Sequence, residues 1–482
     1  MSKYLYGAAV QGIQDFIFKT NELRHIVGAS ELVEQICTSA FDEFAKNGES
    51  VVRAAGNIKF IFDNEEDCRK AVCEFPKKVM IMAPGVTISQ AVIPLGDDFG
   101  KAIDQIESLL KVQRNKPQRS VTCGLMGIKR ANNTGLPVVK VTNKEKYKDE
   151  PTVQKECYTD TKGLCTKSFG ILNLSKDTVA YDINDITGKN DWIAIVHADG
   201  NGLGKVVQKI GKNKDVFSRF SQQLDIATKE AAQIAYSKVE GEFKPKKVIP
   251  IRPVVLSGDD MTVIIRGDLA VAYTNAFIKA FEEKTKEHLG DILRGQSVFA
   301  EGDDFLTACA GIAFVKSSYP FYYGYQLAEE LCGYAKKDTK AIHDANSNHL
   351  PPSCILFHKV QDSFIVSYED IIKRELTANS GLSFKAGPYY TIPQNGKNTI
   401  DDLFETSRLL NINSGDGIKS GLRNWISLRI ENKSKADLRK ERMLQIFSKP
   451  SIIEKLTRET DNRCMAFDVL AYNTIMNQQT KD

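Results

Sequence analysis

Two apolar runs, Val248 to Leu256 and Met261 to Ile265, are joined by Ser257-Gly258-Asp259-Asp260. The runs are rich in Val and Ile and read as strands, and the glycine supplies the backbone freedom of a tight turn. The segment is therefore expected to be a β-hairpin with two adjacent carboxylates at its tip. A third carboxylate is placed to join them. Trp192 to Val196 is another apolar strand, and it runs on into His197-Ala198-Asp199-Gly200-Asn201-Gly202. Aspartates gathered in this way repel one another, and folding them together is costly unless a cation compensates. For the hairpin alone the competing reading is an ordinary Gly-Asp turn followed by a solvated aspartate. Asp199 at the end of a nearby strand weighs against it.

Around this hairpin the chain reads as two copies of one βαββαβ unit, with an insert between them and a helical region after them. In the second copy the strand at 192–197 leads to a helix from about Gly202 and a long helix near Phe217 to Tyr236. The hairpin follows, then a helix at about 268–288, a strand from Leu306 to Val315 and a helix from Tyr325 to Lys336. This order is the split ferredoxin-like motif, in which the first strand lies beside the hairpin. Asp199 is thereby expected to meet Asp259 and Asp260.

The first copy repeats the order. Tyr4 to Val10 reads as a strand, Asp15 to Thr20 and Ser30 to Lys46 as helices, Val51 to Phe62 as a hairpin, Glu65 to Val79 as a helix and Val86 to Ile93 as a strand. Its hairpin tip, Ala54-Ala55-Gly56-Asn57, holds no carboxylate, and its first strand ends in Gln11-Gly12. Duplication with loss of one site is the economical explanation. The fold class expected is α+β: a first ferredoxin-like domain over 1–112, an irregular insert over 113–178, a second ferredoxin-like domain over 179–366 and a helical C-terminal domain over 367–482. In the last, helices are expected at 368–377, 400–410, 415–431, 435–447 and 461–478, as a packing or docking domain.

Composition excludes several classes. A hydrophobic share of 42% and a charged share of 26% are those of an ordinary globular chain, which rules out a disordered one. No run of 18 apolar residues exists, so no transmembrane helix and no membrane partner are expected. The N-terminus leads straight into a strand without a signal-peptide core, and the cysteines stand mostly alone in apolar segments (Cys37, Cys68, Cys73, Cys309, Cys332). Both point to a reducing cytoplasm. A net charge of +4 permits nucleotide or nucleic-acid partners without requiring them. The insert holds Cys123, Cys157 and Cys165 but no histidine. That spacing makes no zinc ribbon, so a flexible or degenerate zinc-finger-like segment is expected.

Several motifs now resemble a known family. Val10-Gln11-Gly12-Ile13-Gln14-Asp15-Phe16-Ile17-Phe18, followed by Leu23-Arg24 and Gly28-Ala29-Ser30, is similar to the first palm of the large polymerase/cyclase subunit of type III CRISPR effector complexes. Ser257-Gly258-Asp259-Asp260 resembles the Gly-Gly-Asp-Asp motif of the second palm, with Ser in place of the first Gly. Tyr319-Pro320-Phe321-Tyr322 leading to Leu327-Ala328-Glu329-Glu330-Leu331, and Ile355-Leu356-Phe357-His358, also match. The resemblance covers most of residues 1–366 and extends to the tail only in general character. Typical members begin with an HD nuclease domain, and no such domain is read here: His343-Asp344 is an isolated pair, expected in a loop. The paired cysteines of the family's zinc element are missing too. A short form of the family is expected, either a subunit of an RNA-guided complex or a stand-alone signalling cyclase.

The resemblance implies an ATP-using nucleotidyltransferase that makes cyclic oligoadenylate messengers for antiviral signalling and so activates a separate downstream effector. Guide or target RNA and other complex subunits are the implied partners, and other nucleoside triphosphates remain open as substrates. Asp199, Asp259 and Asp260 are the expected ligands of Mg²⁺ or Mn²⁺, hard cations suited to carboxylate oxygens and a triphosphate. Gly200, Asn201, Gly202 and Gly204 lie between a strand and a helix, where backbone N–H groups approach phosphates; Ser257 and Gly258 flank the carboxylates. Lys205 is a phosphate candidate, weighed against a solvated helix lysine. By resemblance Lys336 binds terminal phosphates, with Lys337 and Lys340 as alternates. His197 is expected to pack beneath the site and not to act as a base. The first palm, with Gly56-Asn57 at its tip, is expected to hold a second ATP across the palm–palm interface. Two other readings stay open: a cyclase making a cyclic mono- or dinucleotide, and a scaffold that only binds nucleotide.

Overall fold

The computed structural model describes residues 3–54, 56–116, 127–142, 146–188, 191–243, 248–342, 349–362, 367–412, 417–447 and 449–477. Ala55, Cys123, His343 and Asp344 lie outside the described residues.

In the first palm, β1 (Tyr4–Gln11), β2 (Gly48–Ala54), β3 (Asn57–Phe62) and β4 (Thr87–Pro94) form one antiparallel sheet in the order β2-β3-β1-β4. Helices Leu23–Cys37 and Glu65–Met82 belong to this unit. The expected helix from Ser30 to Lys46 is two helices, Leu23–Cys37 and Ser39–Asp42, and the first begins earlier than the sequence suggested. Gly28 lies inside it for a packing reason. A Cβ there would stand 1.9 Å from the backbone oxygen of Lys155 in the insert.

Where it is described, the insert departs from the flexible segment expected. Strands β5 (Lys140–Val141) and β6 (Tyr147–Lys148) pair, and helices Glu150–Cys157 and Gly163–Phe169 follow. Asp149 caps the first of these helices and Pro151 sits in its first turn, a combination that needs no long periodic pattern. Leu164, Cys165 and Phe169 are buried, so the second helix is part of the core.

The second palm is built on β7 (Trp192–Gly200), β8 (Ile251–Ser257), β9 (Asp260–Arg266) and β10 (Ala308–Lys316), with β7 between β9 and β10 as the split motif requires. The sheet is larger than expected. β11 (Cys354–Lys359) pairs parallel to β10, and β12 (Tyr389–Tyr390) pairs antiparallel to β11. Parallel pairing needs a crossover, which helix Phe321–Ile342 supplies. Cys354 to Phe357 are all buried, and such a short apolar run carries no alternation that would mark it as a strand.

Among the described residues, six helices of the C-terminal region follow at Tyr368–Glu375, Ile400–Ile412, Ile418–Glu431, Lys433–Ile446, Pro450–Leu456 and Ala466–Met476. One hydrophobic core runs through both palms and this region. Among the described residues no helix is long and apolar enough to cross a membrane.

Candidate active site

β7 is buried from Trp192 to Ala198, as the central strand of a sheet covered on both faces must be. It delivers Asp199 to the end of the sheet, opposite Cys309 of β10, while Ala198 pairs with Met261 of β9. Ser257 pairs with Asp260, so Gly258 and Asp259 form the two-residue turn, and Gly258 takes a φ of 63° that a glycine adopts without strain. Gly200 is small for a reason as well. A Cβ there would lie 2.8 Å from Cβ and from Oδ2 of Asp259, so Asp259 folds over the residue that follows Asp199.

The carboxylates are close and electrostatically strained. Burial, then the charges of Asp259 and Asp199, push Asp260 up to about 8. Burial and the Asp199 charge push Asp259 up as well. One ligand atom each of His197, Asp199 and Asp260 lies within 4.8 Å of the others. Lys336 answers part of the charge. Its Nζ forms an ion pair with Oδ2 of Asp199 and donates to the carbonyl of Gly200 at 2.8 Å. Burial works to lower its pKa, and the Asp199 carboxylate outweighs burial and raises it.

Asp260 faces a cavity of about 380 Å³ that both palms build. Gly56, at the tip of the first hairpin, and Ser257 and Asp260, at the tip of the second, line the same space. Asp199, Asp259 and Lys336 adjoin it without lining it. The palms are latched across it. Gln14 Nε2 donates to the Tyr325 hydroxyl at 2.7 Å, and Phe18 stacks on the Tyr325 ring at 4.3 Å between centroids. Tyr325 also meets His197 edge to face at 5.7 Å. His197 contacts Thr262 Oγ1 through Nδ1 at 3.1 Å, and burial lowers its pKa to about 4, so the ring is neutral near pH 7.

The other expected residues divide. Gly202 has a φ of 76° at the start of helix Leu203–Ile210. Gly204 and Lys205 are exposed on that helix and lie outside the cavity lining. Asn201 is turned inward. Its Nδ2 donates to Thr307 Oγ1 at 3.1 Å and to Cys309 Sγ at 3.4 Å, which makes the side chain an internal brace of the loop. Ser257 is buried, and the Gly258 carbonyl accepts from Thr228 Oγ1 at 2.5 Å. Lys340 is exposed, as is Lys337, whose ammonium lies over the Tyr334 ring. Of the four lysines considered, Lys336 is the one at the carboxylates.

Sequence reasoning did not single out Tyr325, Glu34 or Leu164, which line the cavity, or Lys167, whose Nζ donates to the carbonyl of Leu256 just before the acidic turn at 2.7 Å. Gln14 sits in a quoted motif and Tyr325 between two quoted segments, but no local pattern announces that residues 311 positions apart meet.

Residues 192–343 match the family model described as Cas10/Cmr2, second palm domain, which bears out the resemblance read from the sequence. No curated protein matches the chain. Among solved structures, a Csm1–Csm4 cassette in complex with pppApA aligns with a TM-score of 0.60 at 12% identity, over 98% of this chain and 69% of that one. The cassette in complex with cA4 gives 0.58 at 12% identity, over 99% and 69%. A Csm1–Csm4 subcomplex of the type III-A CRISPR–Csm interference complex gives 0.55 at 13% identity, over 100% and 70%. At these identities the likeness is one of fold, and it spans both palms and the helical region.

Proposed function

We propose that this chain is a nucleotidyl cyclase that joins ATP into cyclic oligoadenylates at the interface of its two palms. The observation that carries the reading is the cluster of Asp199, Asp259 and Asp260 beside one inter-palm cavity, two of them pushed far above the ordinary carboxylate range. Three crowded hard-oxygen donors fit a divalent cation better than they fit empty water. Asp199, Asp259 and Asp260 would hold Mg²⁺ or Mn²⁺, which when bound supplies charge neutralisation at the reacting phosphate and acidifies the attacking hydroxyl.

The chain's own residues do the rest. Lys336, already paired with Asp199, is a cation within reach of a polyphosphate tail. Gly56 and Asp260 on opposite walls leave room for the two reacting nucleotides to face one another, and holding them so turns a bimolecular step into an effectively unimolecular one. Neutral His197, packed on Thr262 and Tyr325, supports the floor of the cavity. Further support comes from the relatives seen with pppApA and cA4, and from those in which Csm1 is joined to Csm4, which favour a partner subunit for this chain too.

Incubating the purified chain with each labelled nucleoside triphosphate and Mg²⁺ or Mn²⁺, with and without RNA, tests the reading. Cyclic oligoadenylate from ATP is expected. A cyclic mono- or dinucleotide would replace the product assignment, and no product under any condition, RNA and partner subunit included, would leave a nucleotide-binding scaffold.

A further inference from the structure

The end of the second sheet away from the aspartates carries a different chemistry. β7 begins at Trp192 and reaches Asp199 seven residues later, roughly 23 Å at the rise of a strand. At that far end β10 finishes at Lys316 and β11 at Lys359. Both ammonium groups lie over the indole of Trp192, Lys316 Nζ at 4.1 Å from the ring centroid and Lys359 Nζ at 4.8 Å. Helix Ile418–Glu431 adds Lys419 and Arg423, four residues apart and so on one face. Lys316, Lys359 and Lys419 are half-buried and Arg423 is exposed.

These cations act on one another. Burial, then Lys316 and Arg423, hold Lys359 below the usual lysine range; burial, then Arg423, does the same to Lys419. Asp191 is a carboxylate that acts on Lys316 and raises its pKa against the effect of burial. Lys419 Nζ is tied to Asn411 Oδ1, a neutral acceptor, at 2.9 Å. Gathering like charges from two strands and a helix costs free energy, and the indole fixes two of the cations in place instead of letting them swing apart. Cations held at fixed positions despite mutual repulsion suit a multivalent anion, which they meet without further ordering. Trp192 is 8% exposed, too covered to stack on a base, so recognition here is of phosphate and not of a nucleobase.

We propose that Lys316 and Lys359, pinned on Trp192, form with Arg423 a binding site for phosphate-bearing anions, distinct from the inter-palm cavity. The ligand is a run of phosphates, whether the phosphodiester backbone of single-stranded RNA or a free oligophosphate. The site does not depend on the cyclase reading and stands or falls without it.

The test uses the full chain without metal or ATP. Trp192 and Trp425 are the two tryptophans, so Trp425→Phe leaves Trp192 as the fluorescent reporter. Tripolyphosphate and a short single-stranded RNA are each titrated at several salt concentrations. Because Trp425 is a core residue, filter binding of labelled RNA and equilibrium dialysis of tripolyphosphate on the otherwise wild-type chain make the same comparison independently. At least one ligand is expected to bind. Lys316→Gln with Lys359→Gln should weaken it about tenfold or more and, for single-stranded RNA, lower the salt slope by about 1.4. Binding of RNA identifies a nucleic-acid backbone as the source, and binding of tripolyphosphate alone identifies a free anion. Binding of neither, or equal binding by wild type and the folded double variant, overturns the proposal.

Discussion

Replacing Asp260 by Asn should stabilise the metal-free chain at alkaline pH, and the size follows from the site. The Asp260 carboxyl is pushed from 3.8 to about 8. At about 1.4 kcal/mol for each tenfold change, full conversion gives a ceiling near 6 kcal/mol. The carboxyl faces a cavity open to water and shares its repulsion with Asp199 and Asp259, so about 1–3 kcal/mol is the realistic cost. The sign is fixed by linkage: a carboxyl whose folded pKa is raised contributes stability that is fully present below its unfolded pKa and is lost as pH rises through the folded value. Wild type in EDTA should therefore weaken between about pH 4 and 8, while Asp260→Asn weakens less and overtakes it near the upper end. Asp468, buried and pushed up to about 7, adds the same slope to both proteins, so the difference between them reports Asp260 together with its repulsion on Asp199 and Asp259. Urea midpoints measured from pH 5 to 9 give the comparison. Mg²⁺ should then raise the midpoint of wild type more than that of the variant. Parallel curves across the whole range would refute the electrostatic reasoning.

Lys336→Ala should lower product formation by about 10²-fold or more, because it removes the cation at Asp199; initial rates across ATP concentrations check this, and wild-type kinetics would exclude the lysine from the site. Gly28→Val places a side chain against the Lys155 carbonyl and should cost about 1–3 kcal/mol while exposing the insert to protease, read by urea midpoint and limited proteolysis. Gln14→Ala removes the donor to Tyr325 across the palms; a loss of about 1 kcal/mol in stability is expected, with weaker nucleotide binding by calorimetry.

What was legible in the sequence was local. Ser257-Gly258-Asp259-Asp260 between two β-branched runs identifies its own hairpin, and Asp199 follows from the order of the split motif. β11 was not legible, because Cys354 to His358 is a short apolar run that becomes a strand only through parallel pairing with β10. Asn201 looked like part of a phosphate loop, yet its amide is spent on Thr307 and Cys309, partners about a hundred residues away. The insert was misjudged because its helices are short: the first is capped by Asp149 and packs where Gly28 leaves helix Leu23–Cys37 open, and the second is buried against helix Lys214–Val239 and β8, far along the chain. Tyr325 shows the same limit: a tyrosine on an amphipathic helix is ordinary until Gln14 and Phe18 arrive from the other palm.

The most direct measurement is product formation from labelled ATP with Mg²⁺ or Mn²⁺, resolved by mass spectrometry, for wild type beside Asp259→Ala with Asp260→Ala. Both proteins should be shown folded by their urea transitions and supplied with RNA and partner subunit where wild type requires them. Cyclic oligoadenylate from wild type and none from the folded double variant is the predicted result. Equal product from both would contradict the placement of the chemistry at the inter-palm carboxylates.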